Sequence, residues 1–142
     1  MEPALLGLIL DSTVVIAGER RSHTVRQILE EFKRRFGDFE VGLSVVTIAE
    51  LTHGVQRAGT EERRQRRQAF VDELIRDVPV HPVTIEIARI AGRIEGEQAA
   101  QGVNIAFEDL LIAATALQLG FGVATGNVRH FEVVPGLTVV PA

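Results

Sequence analysis

The stretch LLGLILDSTVVIAG, Leu5 to Gly18, decides the fold. Leu5 to Leu10 form one continuous apolar run with no polar alternation. A strand wetted on one face alternates apolar with polar residues, whereas a strand covered on both faces reads as an unbroken apolar run. The run stops at Asp11, and Ser12 to Gly18 reads as a short turn or helix. A buried strand passing straight into a helical turn points to a parallel sheet with helices on both sides.

The rest of the chain follows that lead. Val25, Ile28, Leu29, Phe32 and Phe36 fall at helical spacing, with Ser22 as the expected cap and Gly37 as the stop. FEVGLS, Phe39 to Ser44, reads as a second strand. VVTIAELTHGVQRAG reads as a helix ending near Gly59, with Ile48, Leu51 and Val55 inward. TEERRQRRQAFVDELIRD is a charged helix whose apolar stripe is Phe70, Leu74 and Ile75. VPVHPV, Val78 to Val83, is a short third strand, and Pro79 and Pro82 place it at a sheet edge. TIEIARIAGRIEGEQAAQG is helical, with Ile87, Ile90, Ala91 and Ile94 on one face, and a further helix runs from near Ala106 to Leu119. FGVATG and LTVVPA are the last two strands. Strands alternating with helices predict an α/β domain of three layers, α/β/α, around a mainly parallel sheet.

Bulk composition narrows the function. With 142 residues, the chain is expected to form one domain, residues 1–142. It has no cysteine, which excludes a disulfide scaffold and a thiolate metal site and fits a reducing compartment. A net charge of −4 argues against nucleic-acid binding by broad phosphate neutralisation, so such contact must be local or assisted by a metal. The opening segment lacks the residue order of a leader, and no apolar run could span a bilayer. A cytoplasmic location is expected.

Ligands of an open α/β sheet gather at the carboxyl ends of its strands, where strand order switches. Asp11 closes the first strand, where its ordinary role would be a helix N-cap. Glu50 lies in TIAEL past the second strand; a solvent-facing helix residue is its ordinary reading, although Ile48, Ala49 and Leu51 beside it are apolar. Glu108 and Asp109 stand at the start of FEDLLIAATAL, where acids gain a few tenths to about 1 kcal/mol from the helix dipole. ATGNVRHF brings Thr125 and Asn127 to the end of a late strand. Together these positions would set carboxylates, a hydroxyl and an amide at neighbouring strand ends. Acids held close repel one another unless a cation lies between them. Hard oxygen donors without Cys point to Mg2+ or Mn2+, a combination suited to phosphodiester hydrolysis.

LILDSTVVI, TIAEL, EDLLIAATAL and ATGNVRHFEVVPGLTV together resemble the PIN-domain ribonucleases, specifically the VapC toxins of bacterial VapBC toxin–antitoxin pairs. The resemblance spans nearly the whole chain in order. It implies a Mg2+-dependent endoribonuclease (or one using Mn2+), the toxin of a type II toxin–antitoxin pair. Asp11, Glu50 and Asp109 resemble the family's acidic metal site, and Thr125 and Ser12 the hydroxyls that support it. Many members have a fourth Asp where this chain has Asn127, which puts a second metal in doubt. Glu108 is read as a helix-dipole residue. The resemblance also implies a cognate VapB-type antitoxin, an RNA substrate and a homodimer. The rival reading is a catalytically weak PIN-like module that binds RNA or antitoxin without cutting.

Something positive must hold RNA against an acidic site. Arg129 and His130 follow Asn127 and are the first candidates, with Arg20 and Arg21 next. Arg63, Arg64, Arg66 and Arg67 are interleaved with Glu and Gln and read as a solvated face.

Overall fold

The computed structural model describes residues 5–142; Met1 to Ala4, part of the opening read for a leader, lie outside the described residues. The first apolar run becomes β1, Gly7–Leu10, buried along its whole length. Two helices follow, α1 at Ser12–Arg20 and α2 at Val25–Phe36. β2 is Glu40–Ser44, followed by α3 at Val45–Gln56 and α4 at Glu61–Asp77. β3 is Val80–His81, α5 Ile85–Ala100 and α6 Phe107–Leu119. β4 at Gly122–Thr125, α7 at Val128–Phe131 and β5 at Val139–Pro141 complete the order.

The strands lie in the order β3-β2-β1-β4-β5. Every pairing is parallel. The chain steps outward from β1 through β2 to β3, then returns to the other side of β1 as β4. The order therefore reverses between β1 and β4, and that reversal opens a crevice at their carboxyl ends. Both edges carry proline. β3 lies between Pro79 and Pro82, as the sequence indicated, and β5 includes Pro141, paired with Thr125.

Strand alternation builds the two outer layers. Leu8 and Leu10 of β1 pack with Val15, Ile28, Phe32, Leu51 and Leu74 in one buried cluster. Ile9, between them, points to the opposite face and joins Ile87, Ala91, Ile112, Val123 and Phe131 in the other. This is the three-layer α/β/α arrangement expected from the sequence.

The structure corrects several local expectations. Ser22 does not cap α2; Thr24 does, accepting from Gln27 N–H while the Gln27 side chain accepts from Thr24 N–H. Ser22 instead takes a left-handed turn with φ +60°. The buried stripe of α4 is Phe70, Val71 and Leu74, and Ile75 is 49% exposed. Successive helical residues turn by about 100°, so Ile75 is carried past the face that Phe70 and Leu74 share. Helix α7 was unexpected. Gly120 closes α6 in the left-handed conformation, φ +71°, and Phe121 N–H then returns to Ala116 O at 2.8 Å, leading directly into β4.

Candidate active site

Asp11 continues the sheet for one residue beyond β1, its N–H donating to Ala124 O at 2.9 Å. It stands at the N-cap of α1, yet its side chain makes no capping hydrogen bond. Asp11 as a residue is 4% exposed. Its Oδ2 accepts from the hydroxyls of both Thr13 and Thr125 at 2.9 Å. Each hydroxyl is itself oriented by backbone: Thr13 Oγ1 accepts from Gly126 N–H, and Thr125 Oγ1 from Asn127 N–H, both at 2.9 Å. One carboxylate oxygen thus ties the start of α1 to the turn after β4, at the crevice between β1 and β4. A capping carboxylate would be spent on its own helix; this one is fixed by side chains from two elements.

The other acids come to the same end of the sheet. Buried Ser12 donates to Glu50 Oε2 at 3.0 Å, which draws α3 onto the first turn of α1. Glu50 and the neighbouring Ala49 are exposed, so Glu50 sits on the rim, outside the apolar layer that its sequence neighbours suggested. Asp109 lies in the first turn of α6 with its side chain 20% exposed, its Oδ2 3.4 Å from His130 Nδ1. Burial raises the pKa of Glu50; the Ser12 hydrogen bond opposes this, and the charges of Asp11, Asp109 and Glu108 add to it. Asp109 is raised by burial and then by Asp11, against the pull of His130. Asp11, Glu50 and Asp109 therefore share one electrostatic field.

The described residues do not form a closed ligand shell. No three His, Cys, Asp or Glu side chains among them approach closely enough to make a preformed metal cluster. Like charges resist such closure by themselves. The pattern of engagement is nonetheless consistent. Asp11 Oδ2, Glu50 Oε2 and Asp109 Oδ2 each face a donor, while the second oxygen of each accepts no hydrogen bond among the described residues.

The raised values have a consequence for stability. The folded chain holds these protons more tightly than the unfolded chain does. The associated stability is fully present below the ordinary carboxylate values and is lost as pH rises through the raised ones. With EDTA present, the Tm of the wild type should fall relative to Glu50→Gln/Asp109→Asn as pH rises from the ordinary carboxylate range to neutrality. Scanning calorimetry across that range measures it, and a flat or rising difference contradicts the shared field.

Asn127 is exposed at the N-cap of α7, and its side chain caps nothing. Only its backbone joins the network, through Thr125. Arg129 is exposed and makes no ion pair among the described residues, whereas His130 adjoins Asp109. Glu108 is exposed in the first turn of α6, the place where a helix dipole favours an acid. Sequence reasoning missed Thr13, which both donates to Asp11 and accepts from Gly126. The available signal was a hydroxyl two residues after the strand-end acid, the spacing of a local side-chain turn.

The PIN domain family model matches residues 8–137, from β1 to the approach of β5. The chain belongs to the PIN-domain family. Within it the chain is of the VapC type: it is 31% identical over 135 residues to ribonuclease VapC1 of Rickettsia felis, covering 95% of this chain and 96% of that one. It is 28% identical to the tRNA(fMet)-specific endonuclease VapC of Salmonella typhimurium, covering 95% and 97%. Among solved structures, the DNA-bound VapBC of Salmonella typhimurium superposes with a TM-score of 0.80 at 26% identity, over 96% of this chain and 98% of that one. VapBC-5 of Mycobacterium tuberculosis gives 0.75 at 27% identity, over 96% and 99%. The PIN fold thus accounts for both the strand order and the crevice between β1 and β4. No described helix is long and apolar enough to cross a membrane.

Proposed function

We propose that this PIN domain is a divalent-metal-dependent endoribonuclease and the toxin of a type II toxin–antitoxin pair. The observation that carries the reading is Asp11, a carboxylate at a helix N-cap that caps nothing and is held by Thr13 and Thr125. The relatives named ribonuclease and tRNA(fMet)-specific endonuclease support the activity, and the toxin–antitoxin complexes among the structural neighbours support the pairing.

The donor set fits a hard divalent ion. Three carboxylates each have an oxygen that accepts no hydrogen bond among the described residues, hydroxyls orient two of them, and the chain has no thiolate to favour a softer metal. Asp11, Glu50 and Asp109 would hold Mg2+ or Mn2+, with Ser12, Thr125 and Asn127 in support. When bound, such an ion supplies positive charge to the phosphoryl group and lowers the pKa of water.

The chain's own residues do the rest. Thr13 and Thr125 keep Asp11 in one orientation, and Ser12 does the same for Glu50. Glu50 or Asp109, at the rim of the crevice, would position the attacking water and take its proton. In-line attack forms a new bond from the water oxygen to phosphorus and breaks the bond to the 3′ oxygen, which leaves with a proton. The products are a 5′-phosphate and a 3′-hydroxyl. Arg129 and His130 flank the crevice and would contact the phosphate. A VapB-type antitoxin would block this edge, and a homodimer would be the working form.

The test is incubation with total RNA and with tRNA, with Mg2+, Mn2+ or EDTA. Cleavage with either metal, 5′-phosphate ends and silence in EDTA are expected. Binding of RNA without cleavage under all conditions would assign the chain to the binding-module reading instead.

A further inference from the structure

Outside the acidic crevice, four arginines gather between α1 and α4. Arg20, at the end of α1, and Arg63, Arg66 and Arg67 of α4 line one open groove of about 590 Å³, with Glu19 and Phe70 in its wall. Arg67 is pinned on both sides: its Nη1 donates to Gly54 O at 2.9 Å, and its Nε lies 4.0 Å from Glu19 Oε1. Arg20, Arg63 and Arg66 are exposed and make no ion pair among the described residues. In a chain of net charge −4 this is a local reversal of sign. The α4 arginines that read as a solvated face in sequence are joined here by Arg20 from another helix, which only the fold could bring to them.

Two helices run from the acids to this groove. α3 passes from Glu50 to Gly54, which anchors Arg67 and lies about 6 Å of helical rise away. α1 passes from Ser12, bonded to Glu50, to Glu19, about 10 Å of rise. The groove is therefore joined to the carboxylates through the two helices that carry Ser12 and Glu50. Guanidinium groups pair with phosphate through two parallel hydrogen bonds, and their charge persists at any working pH.

We propose that the groove of Arg20, Arg63 and Arg66 binds the phosphate backbone of the RNA strand beside the cleaved bond. The proposal rests on the nuclease reading and extends it, since it supplies the positive charge that the acidic crevice lacks. Continuity with the crevice through α1 and α3 favours RNA over an acidic protein segment.

The experiment uses the full chain carrying Asp109→Asn, in Mg2+, so that bound RNA stays intact. Fluorescence anisotropy follows a fluorescein-labelled single-stranded RNA over a NaCl series. Adding Arg63→Gln/Arg66→Gln should weaken binding at least about tenfold at low salt and reduce the salt slope by about 1.4, the loss of two phosphate contacts on a single strand. Arg20→Gln, on the other wall, should reduce it by about 0.7. Unchanged affinity and slope in both variants overturn the proposal. So does loss of binding to a poly-glutamate peptide while RNA binding is unaffected, which would give the groove to an acidic protein partner. Cleavage by the chain with its native Asp109 is scored separately. Arginine-dependent binding without any cleavage would reject the nuclease reading and leave the groove assignment standing.

Discussion

Asp11→Asn and Asp109→Asn should each reduce RNA cleavage by more than about 100-fold while leaving the fold in place. Removing a partner that merely orients a metal ligand typically costs about 10–100-fold, so removing a ligand should cost more. The argument at Asp11 is geometric. An asparagine oxygen can replace Oδ2 and still accept from Thr13 and Thr125, both 2.9 Å away in the wild type. Its amide nitrogen then occupies the place of Oδ1, an oxygen that accepts no hydrogen bond among the described residues. An acceptor with negative charge becomes a neutral donor, and nothing else need move. At Asp109 the substitution also relieves a group whose ionised form is disfavoured by burial and by Asp11. The loss of a favourable helix N-terminal charge, a few tenths to about 1 kcal/mol, works the other way. The Tm of both variants in EDTA should therefore stay close to that of the wild type. Addition of Mg2+ should raise Tm in the wild type more than in either variant, because binding to the folded state alone stabilises it. Full metal-dependent cleavage in both variants would remove the basis of the proposed site.

Phe131→Ala should cost about 3–5 kcal/mol of folding stability, the usual range for truncating a buried phenylalanine. Phe131 is 0% exposed and belongs to the cluster of Ile9, Leu110, Ile112 and Val123. It is the only buried residue of α7, a four-residue helix that cannot persist through its own backbone bonds. The side chain is therefore the anchor of the segment that presents Asn127, Arg129 and His130. Urea unfolding followed by circular dichroism gives the stability loss directly. Cleavage per folded molecule should fall as well, since His130 would no longer be held beside Asp109. A loss below about 1 kcal/mol would mean that α7 is anchored by some other contact.

Much of this fold was legible because its two central strands, β1 and β4, are buried on both faces. β1 and β4 are continuous apolar runs with few alternatives, and Pro79 and Pro82 marked β3 as an edge. The longer helices announced themselves by period, and the errors fell where period is silent. Four residues with one inward side chain, Val128 to Phe131, carry no periodicity to read. The Thr24–Gln27 capping box was present in the sequence, but the nearer Ser22 drew the assignment. Asp11 and Asp109 could be singled out as strand-end and helix-entry acids. Their alignment could not, because Thr125 and Asp11 are 114 residues apart and their hydrogen bond exists only through the β1–β4 pairing. Glu50 was legible as a candidate, although the apolar neighbours that drew attention to it lie partly in solvent, Ala49 among them.

Proline at both margins of the sheet limits how this molecule can associate. A free strand edge offers a ladder of amide groups that an extended peptide or a second sheet can continue, and proline removes rungs from that ladder. With β3 reduced to two residues between prolines and β5 containing Pro141, neither margin offers a usable template. Side-by-side fusion of sheets and capture of a partner peptide as a sixth strand are both disfavoured at these margins. Association is thereby directed to helices and loops, which leaves the crevice between β1 and β4 and the arginine groove of α1 and α4 as surfaces that the architecture keeps within reach.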